Sequence, residues 1–341
     1  MNAGISIALA MLALVASNAG PAQAQDFYAN KTITMIIGTP AGAGFDLYGR
    51  ALARHFANHI LGRPTIVVQN MPAAGSVALA NHMYARVPKD GLSVGMIQPG
   101  VIVGPLLDEK MPANFKPEEF LYLGSANVSI RVCATFRTSK TKTFDDALTR
   151  ETTIGANAPG GSLFDYAYFI RNEVGAKFNI VRGYTGSNDI ILAMERGEVE
   201  GICGLDWSSL MSQRPLWVKE KTINVILQAG MVTDASLAAL GAAPMWNYVK
   251  DQDTRAVLEL IVSQQVFGRP FLVPPGTPGD RVDILRKAFD ATMADKAFIA
   301  DAEKMRLDVA PATGARVQDL VAKLYAAPAS IVARARKAMV P

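Results

Sequence analysis

The chain has 341 residues, 50% of them apolar, with 34 basic against 30 acidic side chains and a formal net charge of +4. That length supports two medium domains, each with a core of its own. The charge is too balanced and too scattered for a nucleic-acid-binding face, and the composition excludes a disordered or low-complexity chain.

Ile5 to Ala16 is an almost unbroken apolar run, followed by small and polar residues, and Ala22-Gln23-Ala24 fits a small-x-small cleavage site. No Lys or Arg precedes the run, and it is too short to span a bilayer comfortably. A signal peptide over residues 1–24 is expected, with the exported chain starting at Gln25. Cys133 and Cys203 form no zinc or redox motif. After export they could pair, or stay as buried free thiols in apolar strand-like runs, and the sequence leaves both open.

The exported part opens on a β-branched run, Lys31 to Gly38, read as a buried strand. The turn Thr39 to Gly44 follows. From Phe45, helical spacing puts Tyr48, Leu52, Phe56 and Ile60 on one face. Thr65 to Gln69 predicts a second strand, Asn70 to Ser76 a loop feeding a helix at 77–85, and Ser93 to Gln98 a third strand. The alternation returns beyond residue 127, with strands expected at 129–136, 153–156, 178–181, 201–205 and 222–228. Helices are expected at 144–148, from 162 onward and at 188–196. Ser162 with Asp165 has capping-box spacing, and Ser187 reads as an N-cap. Phe271 to Pro278 reads as an edge segment plus a turn because of its prolines. Helices near 254–266, 281–293, 297–305 and 317–326 complete the chain.

Repetition of strand, glycine-bearing turn and helix predicts parallel α/β units. They are expected in two lobes, residues 25–127 with 231–341 and residues 128–230. The chain should cross between them near 124–128 and again near 228–232. Two lobes joined by two crossings are expected to hinge around a ligand.

Four turns end a strand and open a helix: 39–46, 70–76, 157–162 and 183–187. A helix N-terminus offers unpaired N–H groups and a partial positive charge, and glycine lets a ligand approach the backbone. Such turns can hold a carboxylate or phosphate without a charged side chain. Asp46, after the two glycines of the first turn, is a candidate acceptor for a ligand hydroxyl or amino group. Tyr184, Trp207 and Trp246 are candidates for a cleft wall, and Arg131, Arg182 and Arg214 for a cation facing an anion.

Nucleotide and catalytic motifs fail. No Gly-Lys-Ser/Thr follows the first turn, and Leu47 stands where a dinucleotide fingerprint needs glycine. No Gly-x-Ser-x-Gly occurs. His55 and His59 share a helix without an intervening glutamate, and no catalytic residue, metal or cofactor is assigned.

These motifs, in this order, resemble the extracytoplasmic solute-binding proteins of tripartite tricarboxylate transporters, the Bug family. The resemblance is carried by Pro40-Ala41-Gly42-Ala43-Gly44-Phe45-Asp46 with Arg50, and by Val68-Gln69-Asn70-Met71-Pro72-Ala73-Ala74-Gly75. Pro88-Lys89-Asp90-Gly91, Gly155 to Ser162, Tyr184-Thr185-Gly186, Gly197-Glu198-Val199 and Pro275-Gly276-Thr277-Pro278 extend it. The family's Pro-x-Val-Pro-Thr stretch near the second crossing is missing between Ala229 and Gln265. The resemblance implies an α/β, type II periplasmic-binding-protein-like fold: two lobes, a ligand cleft and two crossover connections. It implies a periplasmic receptor, expected to be monomeric, that gives a small carboxylate to membrane permease subunits. It nominates Ala41, Gly42, Gly44, Asp46, Ala74, Gly160, Ser162, Tyr184 and Thr185 as ligand contacts. An exported carboxylate sensor and an enzyme built on the same cleft are the alternatives.

Overall fold

The computed structural model describes residues 27–42, 44–157 and 161–341, with the backbone alone at 212–213. The expected signal peptide and the nominated Gly160 lie outside the described residues. The strands are β1 (Thr32–Ile37), β2 (Thr65–Asn70), β3 (Ser93–Met96), β4 (Leu121–Ser125), β5 (Arg131–Phe136) and β6 (Thr152–Ala156). They continue with β7 (Phe178–Arg182), β8 (Gly201–Asp206), β9 (Ile223–Ala229), β10 (Ala243–Pro244), β11 (Pro270–Val273) and β12 (Ala312–Thr313). Among the described residues they form two six-stranded sheets, ordered β12-β4-β11-β3-β1-β2 and β10-β9-β5-β8-β6-β7. This is an α/β architecture of two sheets with interleaved helices, as expected for a two-lobed binding-protein fold.

Strand direction decides where a ligand could sit. β1 runs parallel to β2 and β3, while β11 is antiparallel to both β3 and β4, so β1 to β4 all point one way. In the second sheet β6 is parallel to β7 and β8, and β5 is antiparallel to β8 and β9. Each sheet therefore gathers the C-terminal ends of several strands along one edge. Ligands of open α/β sheets bind outside those ends.

The alternation of β1 splits its side chains between two cores. Ile33, Met35 and Ile37 pack with Phe289 and Phe298 on one face, and Ile36 joins the cluster on the other. Each such burial contributes roughly 1.5–3 kcal/mol. The second cluster runs from Ile36 and Met83 through Ile102, Leu258 and Val332 to Phe169 and Cys203, so the two sheets share apolar packing. The C-terminal helix Ala329–Ala338 ties both halves: Arg336 Nε donates to the Leu106 carbonyl at 2.7 Å, and Arg334 pairs with Glu173 at 2.6 Å.

Several local expectations are corrected. β11 is an interior strand between β4 and β3, not an edge. Its prolines stand at its first position, 270, and just after it, 274, so the amides of Phe271 to Val273 remain free to pair. The return crossing falls later than 228–232. β10, beyond the expected boundary at 231, still pairs with β9, and the Ser129 amide donates to the Gln265 carbonyl where the two connections run side by side. Ser162 and Ser187 are first helical residues, while the N-caps are Gly161 and Gly186 without side-chain cap bonds. The two cysteines, opposite each other in the β5–β8 register and fully buried, are joined as a disulfide.

Candidate functional site

The first turn is held from behind. The Asp46 carboxylate, only 1% exposed, accepts from the Gly42 amide at 2.8 Å and from Arg50 Nε at 2.8 Å on Oδ2, and from Asn70 Nδ2 at 2.8 Å on Oδ1. Asn70 also donates to the Thr39 carbonyl at 2.9 Å and accepts from Arg50. Burial pushes the Asp46 carboxyl up, but the hydrogen bonds from Arg50, Asn70 and Gly42, with the Arg50 charge, hold it below the ordinary carboxylate range. Both oxygens are engaged within the protein. Ala41, Gly42 and Gly44 stand exposed in front of them.

The second turn is strained. Ala74, Gly75 and Ser76 take φ of 45°, 61° and 78° in succession, and left-handed geometry costs a non-glycine residue about 1–3 kcal/mol. Ser76 is fully buried and donates from Oγ to the Gly38 carbonyl at 2.8 Å, which fixes the run against the end of β1. Ala74 and Gly75 are left exposed. A concave backbone of this kind presents amides to an anion. A further turn follows β3, where Gln98 precedes the helix Pro99–Leu107.

In the second sheet, β6 and β7 end side by side, Ala156 opposite Arg182. Asn157 folds against Gly161, and its Oδ1 is buried without a hydrogen-bond partner among the described residues. The Gly161 carbonyl accepts from Phe164 and Asp165 at the start of the helix Ser162–Phe169. Tyr184 lies over Gly155, with its hydroxyl pushed up by burial and by the Glu198 charge, and Thr185 donates to Asp189. At the end of β8, Asp206 accepts from the Ser209 amide at 2.9 Å and the Ser208 hydroxyl at 2.7 Å, with Arg131 at 3.9 Å. Burial pushes Asp206 up, yet Arg131 and the two serines hold it low.

One pocket of about 840 Å³ joins the halves. Ala74, Gly75, Gln98 and Gly100 line it from the first half, Asp165 from the second, and Gln264 from the return connection. Of the nominated residues Ala74 lines this pocket. Ser162 stands one helical turn before Asp165, and Ala41, Gly42, Gly44, Tyr184 and Thr185 lie on turns outside it.

Sequence reasoning missed Gln98, Gly100 and Gln264; the Pro99-Gly100 pair directly after a strand was the available signal. It also missed Arg269, whose guanidinium lies 4.2 Å from the Phe45 ring centre and 5.0 Å from that of Tyr48. Burial pulls Arg269 down, and its Nε has no hydrogen-bond partner among the described residues. His55 and His59 pair separately with Asp301 at 3.1 Å and Asp295 at 3.0 Å. Among the described residues no group of three or more His, Cys, Asp or Glu side chains is placed to hold a metal, and no helix is long and apolar enough to cross a membrane.

No family model and no curated protein matches the sequence. Solved structures do resemble the fold. A TctC solute-binding protein from Polaromonas is 17% identical with a TM-score of 0.70, over 90% of this chain and 99% of that one. The periplasmic binding protein BugD is 17% identical with a TM-score of 0.58, over 91% and 98%. MatC from Rhodopseudomonas palustris, with bound malate, is 13% identical with a TM-score of 0.57, over 91% and 99%. The chain has the two-sheet fold of the TctC and BugD binding proteins.

Proposed function

We propose that the chain is an exported receptor that captures a small carboxylate in the periplasm and delivers it to the permease subunits of a tripartite transporter, without chemistry of its own. The observation that carries this reading is the pocket between the halves. Its wall includes the strained Ala74–Gly75 backbone on one side and Asp165, in the first turn of the helix Ser162–Phe169, on the other. Backbone amides and helix N-termini at the C-terminal ends of parallel strands suit a carboxylate. The likeness to TctC, BugD and malate-bound MatC supports the same reading. In it, Ala74 lines the ligand pocket directly, Ala41, Gly42, Gly44, Ser162, Tyr184 and Thr185 stand on turns that reach the ligand only when the two halves close around it, and Asp46 acts indirectly by shaping the first turn.

A thermal-shift screen of mono-, di- and tricarboxylates tests the proposal. A ligand at a hundredfold excess over its Kd adds about 2.7 kcal/mol to stability. That raises the melting temperature by roughly 5–10 °C. A panel of acids, malate included, that leaves the melting temperature unchanged would contradict the receptor reading.

A further inference from the structure

The pocket continues well past the glycine turns. The helix Pro99–Leu107 runs along it, presenting Gly100, Val101, Gly104 and Leu107 in one stripe. From Gly100 to Leu107 this wall is about 10 Å long at the rise of an α-helix. Its far end is lined by Met111, Met339 and Val340. Val101 and Val103 are 1% and 3% exposed, so what little surface they show is turned to the pocket they line. Met111 covers Gly104, and methionine side chains make an adaptable apolar wall.

Desolvation separates two ligand classes. Beyond Leu107, Asp108 and Glu109 line the pocket with Lys110 and Arg336, two acids against two bases. Arg336 is already bound to Glu109 and to the Leu106 carbonyl. A second carboxylate pushed to the far end would have to leave water among Leu107, Met111 and Met339, where the acids and bases already balance, and desolvating it there is unfavourable. The volume of about 840 Å³ also lies near the upper part of the range of about 300–1,000 Å³ that holds drug-sized ligands. A short diacid would leave most of it to water.

We infer that the ligand is a monocarboxylate with an extended apolar tail, its head against Ala74–Gly75 and its tail along the helix Pro99–Leu107 toward Met111 and Met339. This rests on the receptor reading above and names the ligand class for that site.

Titration calorimetry with straight-chain acids from acetate to octanoate, beside malate and adipate, tests it on the purified protein. Affinity should rise about fourfold per methylene and exceed that of adipate at equal carbon number. Leu107→Gln and, independently, Met339→Gln should flatten the rise while leaving acetate unchanged. Met339 is only partly buried, so that variant keeps the test open should Leu107→Gln fail to fold. Binding of malate or adipate with no gain along the monocarboxylate series would overturn the tail and leave the receptor intact. Absence of binding by every acid in both series would overturn both.

Discussion

Ser76 Oγ donates to the Gly38 carbonyl at 2.8 Å, and the two residues are so close that a Cβ on Gly38 would stand 2.3 Å from that oxygen. One contact thus joins the end of β1 to the left-handed run 74–76, and so the first turn to the second. Removing the hydroxyl leaves Ser76 in a strained conformation with no bond to hold it. Ser76→Ala should lower stability by about 1–3 kcal/mol and weaken carboxylate binding at least tenfold; urea unfolding and calorimetry read the two effects. Gly38→Ala should cost more, because a Cβ must displace the buried serine. Unchanged affinity in a folded Ser76→Ala protein would show that the strained run does not serve the ligand.

Asp46 makes the first turn sensitive to acid. Its folded carboxyl is held below its ordinary value, so the stability it adds is present above the unfolded pKa near 4 and is lost as the pH falls through the lower folded value. Asp46→Asn should reduce the acid sensitivity of unfolding below about pH 4. It should also lower stability at pH 7, because Gly42 and Arg50 lose a charged acceptor. Melting curves from pH 3 to 7 for both proteins check the sign. A difference that stays constant across that range would contradict it.

Gly204 is packed against the start of the helix Ser162–Phe169. It has φ of 78°, and a Cβ there would lie 2.2 Å from the Ser162 carbonyl oxygen. Gly204→Ala must therefore shift backbone that carries Ser162 and Asp165. A stability loss above about 3 kcal/mol is expected, or a folded protein that no longer binds carboxylates. Calorimetry on the refolded variant distinguishes the two.

The Cys133–Cys203 disulfide should add stability by restricting the unfolded chain between them. Replacing both by Ala should cost about 2–5 kcal/mol, and dithiothreitol should lower the melting temperature of the parent but not of the double variant. Equal melting temperatures with and without reductant would contradict the pairing.

Much of the fold is legible in the chain, for physical reasons. β1 and β2 are β-branched runs, each followed by a glycine-bearing turn, and their periodicity separates them from the helices after them. β4, Leu-Tyr-Leu-Gly-Ser, is short, ends in residues typical of loops, and is recognised only once β11 and β12 pair with it from far along the chain. β10 and β12 have two residues each, too few for any period. The prolines around β11 imitate an edge because sequence spacing does not reveal which amides the neighbours need.

The site was legible to a lesser extent. Glycine, asparagine and serine mark where strands turn into helices, so the turns were found. Their spacing says nothing about which of them share a cavity. Ala74 and Asp165 meet across the pocket through the second sheet's placement, and Arg269 reaches Phe45 and Tyr48 from the return connection. Asp46 reads as a ligand contact because acids in a first helical turn look alike in sequence. Its hydrogen bonds to Gly42, Arg50 and Asn70 depend on where β2 ends.

Amide chemical-shift mapping with the acid that gives the largest thermal shift tests the central claim most directly. Carboxylate binding between the halves predicts saturable shifts concentrated at Ala74–Val77 and at Gly161–Asp165, on both sides of the pocket. Saturable binding with shifts confined to one half, or lying away from both turns, would contradict it.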